Sequence, residues 1–187
     1  TTLFRSTASL STGAQSTECV DLPNLTIDKS VVPTDNGDGT VDAVYTVLVS
    51  NAGSAIGTYD LDDVIDPAPA GVTAALTAGP TYAAGTENDQ DGDNTPAVPF
   101  DEEGGNIVTG ESLAAGLNEK WTYTITYTIA KDTAGIAQGN CEGDSVGLSV
   151  DNTATLSTGA QSTECVDLPS LTIDKSVVPT DNGDGTV

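Results

Sequence analysis

The chain has no histidine and no methionine, one tryptophan, two phenylalanines and only five lysines and arginines. Without histidine there is no Ser/His/Asp or Cys/His nucleophile and no imidazole ligand for a metal. Five cations stand against 28 acids, for a formal charge of −23. Such a field repels phosphate backbones and anionic lipid, which excludes nucleic acid and membrane surfaces as partners. No run approaches the roughly 20 apolar residues that span a bilayer, so no membrane insertion is expected of this segment, and no leader peptide is visible. A phosphate-binding loop is also missing, and a conventional enzyme is not expected. Lys, Arg, Gln and Glu, the usual helix formers, are sparse. What is abundant is Thr, Val, Ala, Gly and Asp, a composition that favours an all-β fold.

The organising feature is a repeat. Residues 7–41 return as 153–187, a shift of 146 positions, with 33 of 35 residues identical; only Ser9/Thr155 and Asn24/Ser170 differ. A repeat of that period is domain-sized. The expected organisation is a C-terminal strand region of a preceding repeat (1–20), one complete repeat (21–166), and the first strand and turn of the next (167–187). The VDLP connector at 166–169 is short, so neighbouring units should be stiffly joined.

Within the complete repeat the apolar pattern has period two. Residues 24–32 alternate, and PTDNGDGT at 33–40 is turn chemistry. Val41, Ala43, Tyr45, Val47 and Val49 share one face of a long strand. A further strand is expected at 58–65, PAPAG leads to a Val/Ala/Leu/Thr stretch at 72–82, and 84–105 reads as an acidic loop. In EKWTYTITYTIA (119–130), Trp121, Tyr123, Ile125, Tyr127 and Ile129 face one way and four threonines the other, the mark of a half-buried antiparallel strand. Residues 146–157 close the repeat. About seven strands with turns between them predict an immunoglobulin-like antiparallel β-sandwich, although the Cys…Trp…Cys spacing of antibody domains is missing.

Cys19 and Cys165 are one repeat position, and Cys141 lies inside the complete repeat. Two cysteines per repeat without CxxC spacing read as a disulfide, Cys141–Cys165, in an oxidising compartment; the alternative is a pair of buried thiols in a reducing one.

Three polar residues fall where the alternation calls for apolar ones. Lys29 is in phase with Leu25, Ile27 and Val31; Asp63 with Tyr59, Leu61 and Ile65; Asn152 with Val150 and Ala154. Burying any of them alone would cost several kcal/mol, so inward-facing residues of this kind must meet. An apolar pocket lowers the pKa of a lysine and raises that of an aspartic acid. Neutral Lys29 is then a nucleophile, and protonated Asp63 an acid that polarises the Asn152 amide. Attack would expel ammonia and leave an isopeptide bond. The non-covalent alternative is a buried Lys–Asp pair with Asn152 as a hydrogen-bond partner.

The succession LTIDKSVVP, DNGDGTVDAVYTVLVSNAG, TYDLDDVIDPAPAGV, SLAAGLNEKWTYTITYTI and GLSVDNTATLS resembles the DUF11 family of tandem bacterial and archaeal surface repeats over nearly the whole unit. The resemblance implies an isopeptide between a first-strand lysine and a last-strand asparagine, matching Lys29 and Asn152. Asp63 matches the acid before the family's Thr-Leu-Pro, which is replaced here by Val64-Ile65-Asp66-Pro67. In the preceding unit the position of Asn152 is held by Ser6, so that unit cannot form the same bond.

Asp89, Asp91 and Asp93 alternate like calcium ligands, but the EF-hand pattern fails at Asn94 and Phe100; the choice is between a Ca²⁺ site and a solvated acidic loop. Asn24-Leu25-Thr26 is a glycosylation sequon that Ser170 abolishes in the next repeat. Together these features lead us to expect an extracellular, cell-surface structural repeat of a fibre, stalk or filament. Its partners would be neighbouring repeats or identical subunits, with the isopeptide self-catalysed. A strand-donating pilus-like subunit and an adhesin binding a receptor through 84–105 are the alternatives.

Overall fold

The computed structural model describes residues 4–82, 100–130, 141, 148–169, 178–179 and 183. All its regular structure is β. A hairpin of β1 (Phe4–Ser9) and β2 (Gln15–Val20) precedes β3 (Leu25–Asp35), β4 (Thr40–Asn51), β5 (Gly57–Ile65), β6 (Val72–Tyr82), β7 (Phe100–Asp101), β8 (Gly104–Leu113), β9 (Asn118–Ile129), β10 (Leu148–Leu156) and β11 (Gln161–Leu168). β3 to β11 form a sandwich of a four-stranded sheet, β3-β4-β9-β6, and a five-stranded sheet, β11-β10-β5-β8-β7, antiparallel throughout.

The alternation dictates the packing. On β4 and β9 the inward set Val41, Ala43, Tyr45, Val47, Val49, Trp121, Tyr123, Ile125, Tyr127 and Ile129 is buried. Tyr59, Leu61, Ile65, Ile107, Leu113, Val150, Ala154 and Leu156 close the core from the other sheet. The outer face of the four-stranded sheet carries the threonines, with Thr77 bonded to Thr126 at 2.9 Å and Thr81 to Thr122 at 3.2 Å. β3 and β11 are the edges of their sheets, and they meet along one side of the sandwich, where the Lys29 amide donates to Ser162 Oγ at 3.0 Å.

Three strand boundaries differ from expectation. β3 runs on through Pro33, Thr34 and Asp35, leaving a turn of four residues, because an edge strand needs no amide from Pro33. Residues 100–101 and 104–113, in and beyond the expected acidic loop, are strand. The unit ends on β11 rather than β10, for QSTECVDL pairs with β10 from Thr155↔Gln161 to Leu148↔Leu168.

The hairpin β1–β2 has the register of β10–β11. Thr7 faces Thr17 as Thr153 faces Thr163, and Ser9 faces Gln15 as Thr155 faces Gln161. Their surroundings differ: Leu10 and Val20 are 68% and 56% exposed, whereas Leu156 and Val166, the same repeat positions, are 1% exposed each.

Candidate functional site

Lys29, Asp63 and Asn152 are all buried, at 2%, 1% and 0% exposure. They reach one pocket from three strands. Lys29 points inward from the edge strand β3, opposite Val47. Asp63 and Asn152 come from neighbouring strands of the other sheet, where Ala154 faces Asp63 and Asn152 faces Ile65, so the two polar side chains are diagonal neighbours on one face. Gly104 permits this placement of β5. Its φ is +98°, and a Cβ there would lie 2.3 Å from the Asp63 carbonyl oxygen. Asp60, Asp62 and Asp66, out of phase with the core, are not buried.

The centre of the pocket is a residue outside the expected trio. The Tyr123 hydroxyl accepts from Lys29 Nζ at 2.6 Å and from Asn152 Nδ2 at 2.6 Å, and donates to Asp63 Oδ1 at 2.9 Å. Lys29 Nζ also forms a direct ion pair with Asp63 Oδ2. It sits 5.1 Å from the ring centroids of both Tyr45 and Tyr123, which stack with centroids 5.1 Å apart. The Asn152 carbonyl oxygen is buried without a hydrogen-bond partner.

Burial is the largest influence on both members of the ion pair. It pulls the Lys29 ammonium below its usual pKa and pushes the Asp63 carboxyl above its own; their mutual attraction opposes both shifts and is smaller. The pair is thereby drawn toward neutral amine and carboxylic acid. Burial, then the charge of Asp63, raises Tyr123 far above the usual phenol range, so its hydroxyl keeps its proton. The pocket thus assembles a lysine amine, a carboxyl group, a phenol hydroxyl and a carboxamide, all buried. Those are the groups that amide transfer needs.

The Tyr123 ring sits on the apolar stripe of β9, and its hydroxyl gives no sign in the sequence of the three partners it reaches across the sandwich. A second buried polar group lies on the same strand. Glu119 is in phase with Trp121 on β9 and is fully buried. It accepts from the Tyr59 hydroxyl at 2.5 Å, which in turn accepts from Trp121 Nε1 at 3.3 Å. Glu111, opposite Tyr59 on β8, is 1% exposed.

Cys141 and Cys165 form a disulfide, and the Cys141 amide donates to Asp167 Oδ1 at 2.8 Å. Cys19 is exposed and unpaired. Asp89, Asp91 and Asp93 lie outside the described residues, among which no group of three acids or cysteines could hold a metal ion. Asn24 is exposed; its amide donates to Asn51 Oδ1 at 3.0 Å, and Thr26 of the sequon bonds the Ser50 carbonyl. No protein-family model matches the chain, and no curated protein matches it.

Proposed function

We propose that this chain is a load-bearing structural repeat of an extracellular fibre, stalk or surface filament, locked by a self-formed Lys29–Asn152 isopeptide bond as well as by its disulfide. The observation that carries this reading is the convergence of Lys29, Asp63 and Asn152 in one buried pocket between the two sheets. Desolvation favours the neutral amine and the protonated acid, the forms in which the amine attacks a carboxamide. The bond would join β3, the strand by which the chain enters the sandwich, to β10, the neighbour of the exit strand β11. Force applied along the chain would pass through covalent bonds rather than through the ladder of β3 on β4. The resemblance to DUF11 repeats, the acidic surface and the disulfide all agree with an exported array.

The test is the intact mass of the 187-residue chain, fully reduced and denatured. A mass short by one ammonia, restored in Lys29→Ala, supports the cross-link. The full mass in the wild type would leave the pocket a hydrogen-bonded cluster and the mechanical reading without its clamp.

A second reading, strand donation between subunits, draws on β1–β2. This hairpin holds the β10–β11 register while exposing Leu10 and Val20, whose counterparts are core. Concentration-dependent assembly in light scattering, abolished by deleting residues 1–20, would favour it over the tandem array.

A further inference from the structure

We propose that Tyr123 is a catalytic proton relay for formation of the Lys29–Asn152 bond, a role that rests on the isopeptide reading above. The placement of one hydroxyl carries it. Tyr123 Oη is within 2.6 Å of both Lys29 Nζ, the attacking atom, and Asn152 Nδ2, the leaving atom, and within 2.9 Å of Asp63 Oδ1. A phenol has one proton to donate and two lone pairs. Here all three are engaged, each with a group of the reaction.

The balance of the reaction explains why a relay belongs there. The neutral Lys29 amine attacks Asn152 Cγ, the Nζ–Cγ bond forms, and the carbonyl π pair moves onto Oδ1. The attacking nitrogen must then lose one proton, and Nδ2 must gain one before the Cγ–Nδ2 bond breaks and ammonia leaves. Both nitrogens share the Tyr123 oxygen, so the hydroxyl can take the proton from Nζ as it passes its own on. Asp63, already the carboxylic acid, holds the far side of that hydroxyl and keeps its own proton. At the end Tyr123 is again neutral, Asp63 is in the protonation state in which it started, and one amide and one ammonia have replaced one amine and one amide. The high proton affinity that burial gives Tyr123 suits this role, since the phenol passes a proton on without resting as phenolate. The amide orientation fits it too. Asn152 turns Nδ2, not Oδ1, toward the hydroxyl, which places the leaving atom beside the relay.

The experiment follows ammonia loss by intact mass after cell-free synthesis of the 187-residue chain, for wild type, Tyr123→Phe and Tyr127→Phe. Tyr127 is a buried tyrosine on the same face of β9 whose hydroxyl bonds only Tyr45, at 3.2 Å, in the described structure. Near-UV circular dichroism checks folding. The expected result is cross-linking at least ~100-fold slower in Tyr123→Phe, the low end of what general acid–base help supplies, with Tyr127→Phe near the wild-type rate. Cross-linking of Tyr123→Phe at the wild-type rate would reduce Tyr123 to packing while leaving the isopeptide intact. A wild type that keeps its full mass would remove the isopeptide reading, and the relay with it. Should Tyr123→Phe fail to fold, 3-fluorotyrosine placed at position 123 keeps the ring and hydroxyl but makes the hydroxyl more acidic. A relay then predicts a changed rate and a changed solvent isotope effect, whereas a packing role predicts neither.

Discussion

Lys29 and Asp63 form an ion pair with both side chains at 0% exposure, tied by one bond between themselves and by a second route through Tyr123. The pair holds one exchangeable proton whether it is written as ammonium and carboxylate or as amine and acid. Around neutral pH the unfolded chain holds the same number on these two residues. Folding therefore neither takes up nor releases a proton here around neutral pH, and there the pair gives the uncross-linked protein no pH-dependent stability.

Lys29→Met breaks that balance. It prevents the cross-link and removes the cation whose attraction opposes the effect of burial on Asp63. The folded pKa of Asp63 then stands well above the unfolded value of about 3.9, so over that interval the folded state binds more protons than the unfolded state. The sign is fixed: stability is greatest below about pH 4 and declines as pH rises toward the folded pKa, by up to ~1.4 kcal/mol per pH unit. Urea unfolding of Lys29→Met should show the decline continuing toward neutral pH, where Asn152→Ala, which retains the pair, should be flat. A flat profile in Lys29→Met would mean that water reaches Asp63.

The same two variants test the proposed covalent clamp. In the chain-entropy account, closing a loop of the length between residues 29 and 152 stabilises by roughly 5 kcal/mol relative to an open chain. Asn152→Ala is expected to lose about that much. Chevron analysis of wild type and variant supplies both rates, and equal equilibrium stabilities would contradict a formed bond.

How far the sequence foretold the pocket depends on the residue. Lys29, Asp63 and Asn152 were legible because each interrupts a period-two apolar run, and a buried charge in such a run demands a partner. Tyr123 was not, because a tyrosine on an apolar stripe satisfies the pattern whatever its hydroxyl does. Glu119 obeys the same phase rule as Lys29, and its place at the head of its strand hid it. β4, β5, β9 and β10 were plain from alternation. β8 was not, since GGNIVTGESL is broken by glycine and bends through register shifts against β5. β11 was missed because QSTECVDL has no apolar period; it is a strand by virtue of pairing with β10 and of the Cys141–Cys165 bond.

Gly104 sets how closely β8 approaches the acid. With φ at +98° and the Asp63 carbonyl 2.3 Å from the site of any Cβ, Gly104→Ala has both a strained backbone and a collision with backbone rather than with a flexible side chain. The expected loss is about 2–4 kcal/mol, from overpacking plus backbone strain. Because the displaced residue is Asp63, cross-linking should slow as well. Gly116→Ala is the control: it too has a positive φ, +76°, but nothing lies within 4 Å of its Cβ. If both variants cross-link at the same rate, the position of Asp63 does not depend on this contact.

Asn51 holds the entry of the chain into the sandwich. Its Oδ1 accepts from the amides of Asn24 and Gly53, both at 3.0 Å, and its Nδ2 donates to the carbonyls of Ala55 at 2.8 Å and Leu113 at 2.9 Å, leaving the side chain 1% exposed and fully bonded. Beside it Gly53 lets the connector pass so closely that a Cβ would lie 2.3 Å from the Leu22 carbonyl oxygen, and the Ser54 amide donates to that same oxygen at 3.0 Å. Residues 20–23 are the VDLP sequence that returns at 166–169. Asn51→Ala deletes four bonds at a net value of about 1 kcal/mol each, and a loss of roughly 3–4 kcal/mol is expected. The diagnostic is local. Hydrogen exchange should accelerate most at the Asn24 and Gly53 amides, which lose their acceptor, and β9 amides should change only as global stability falls. Uniform acceleration across β9 and the connector alike would make Asn51 a general core residue rather than the fastening of the connector.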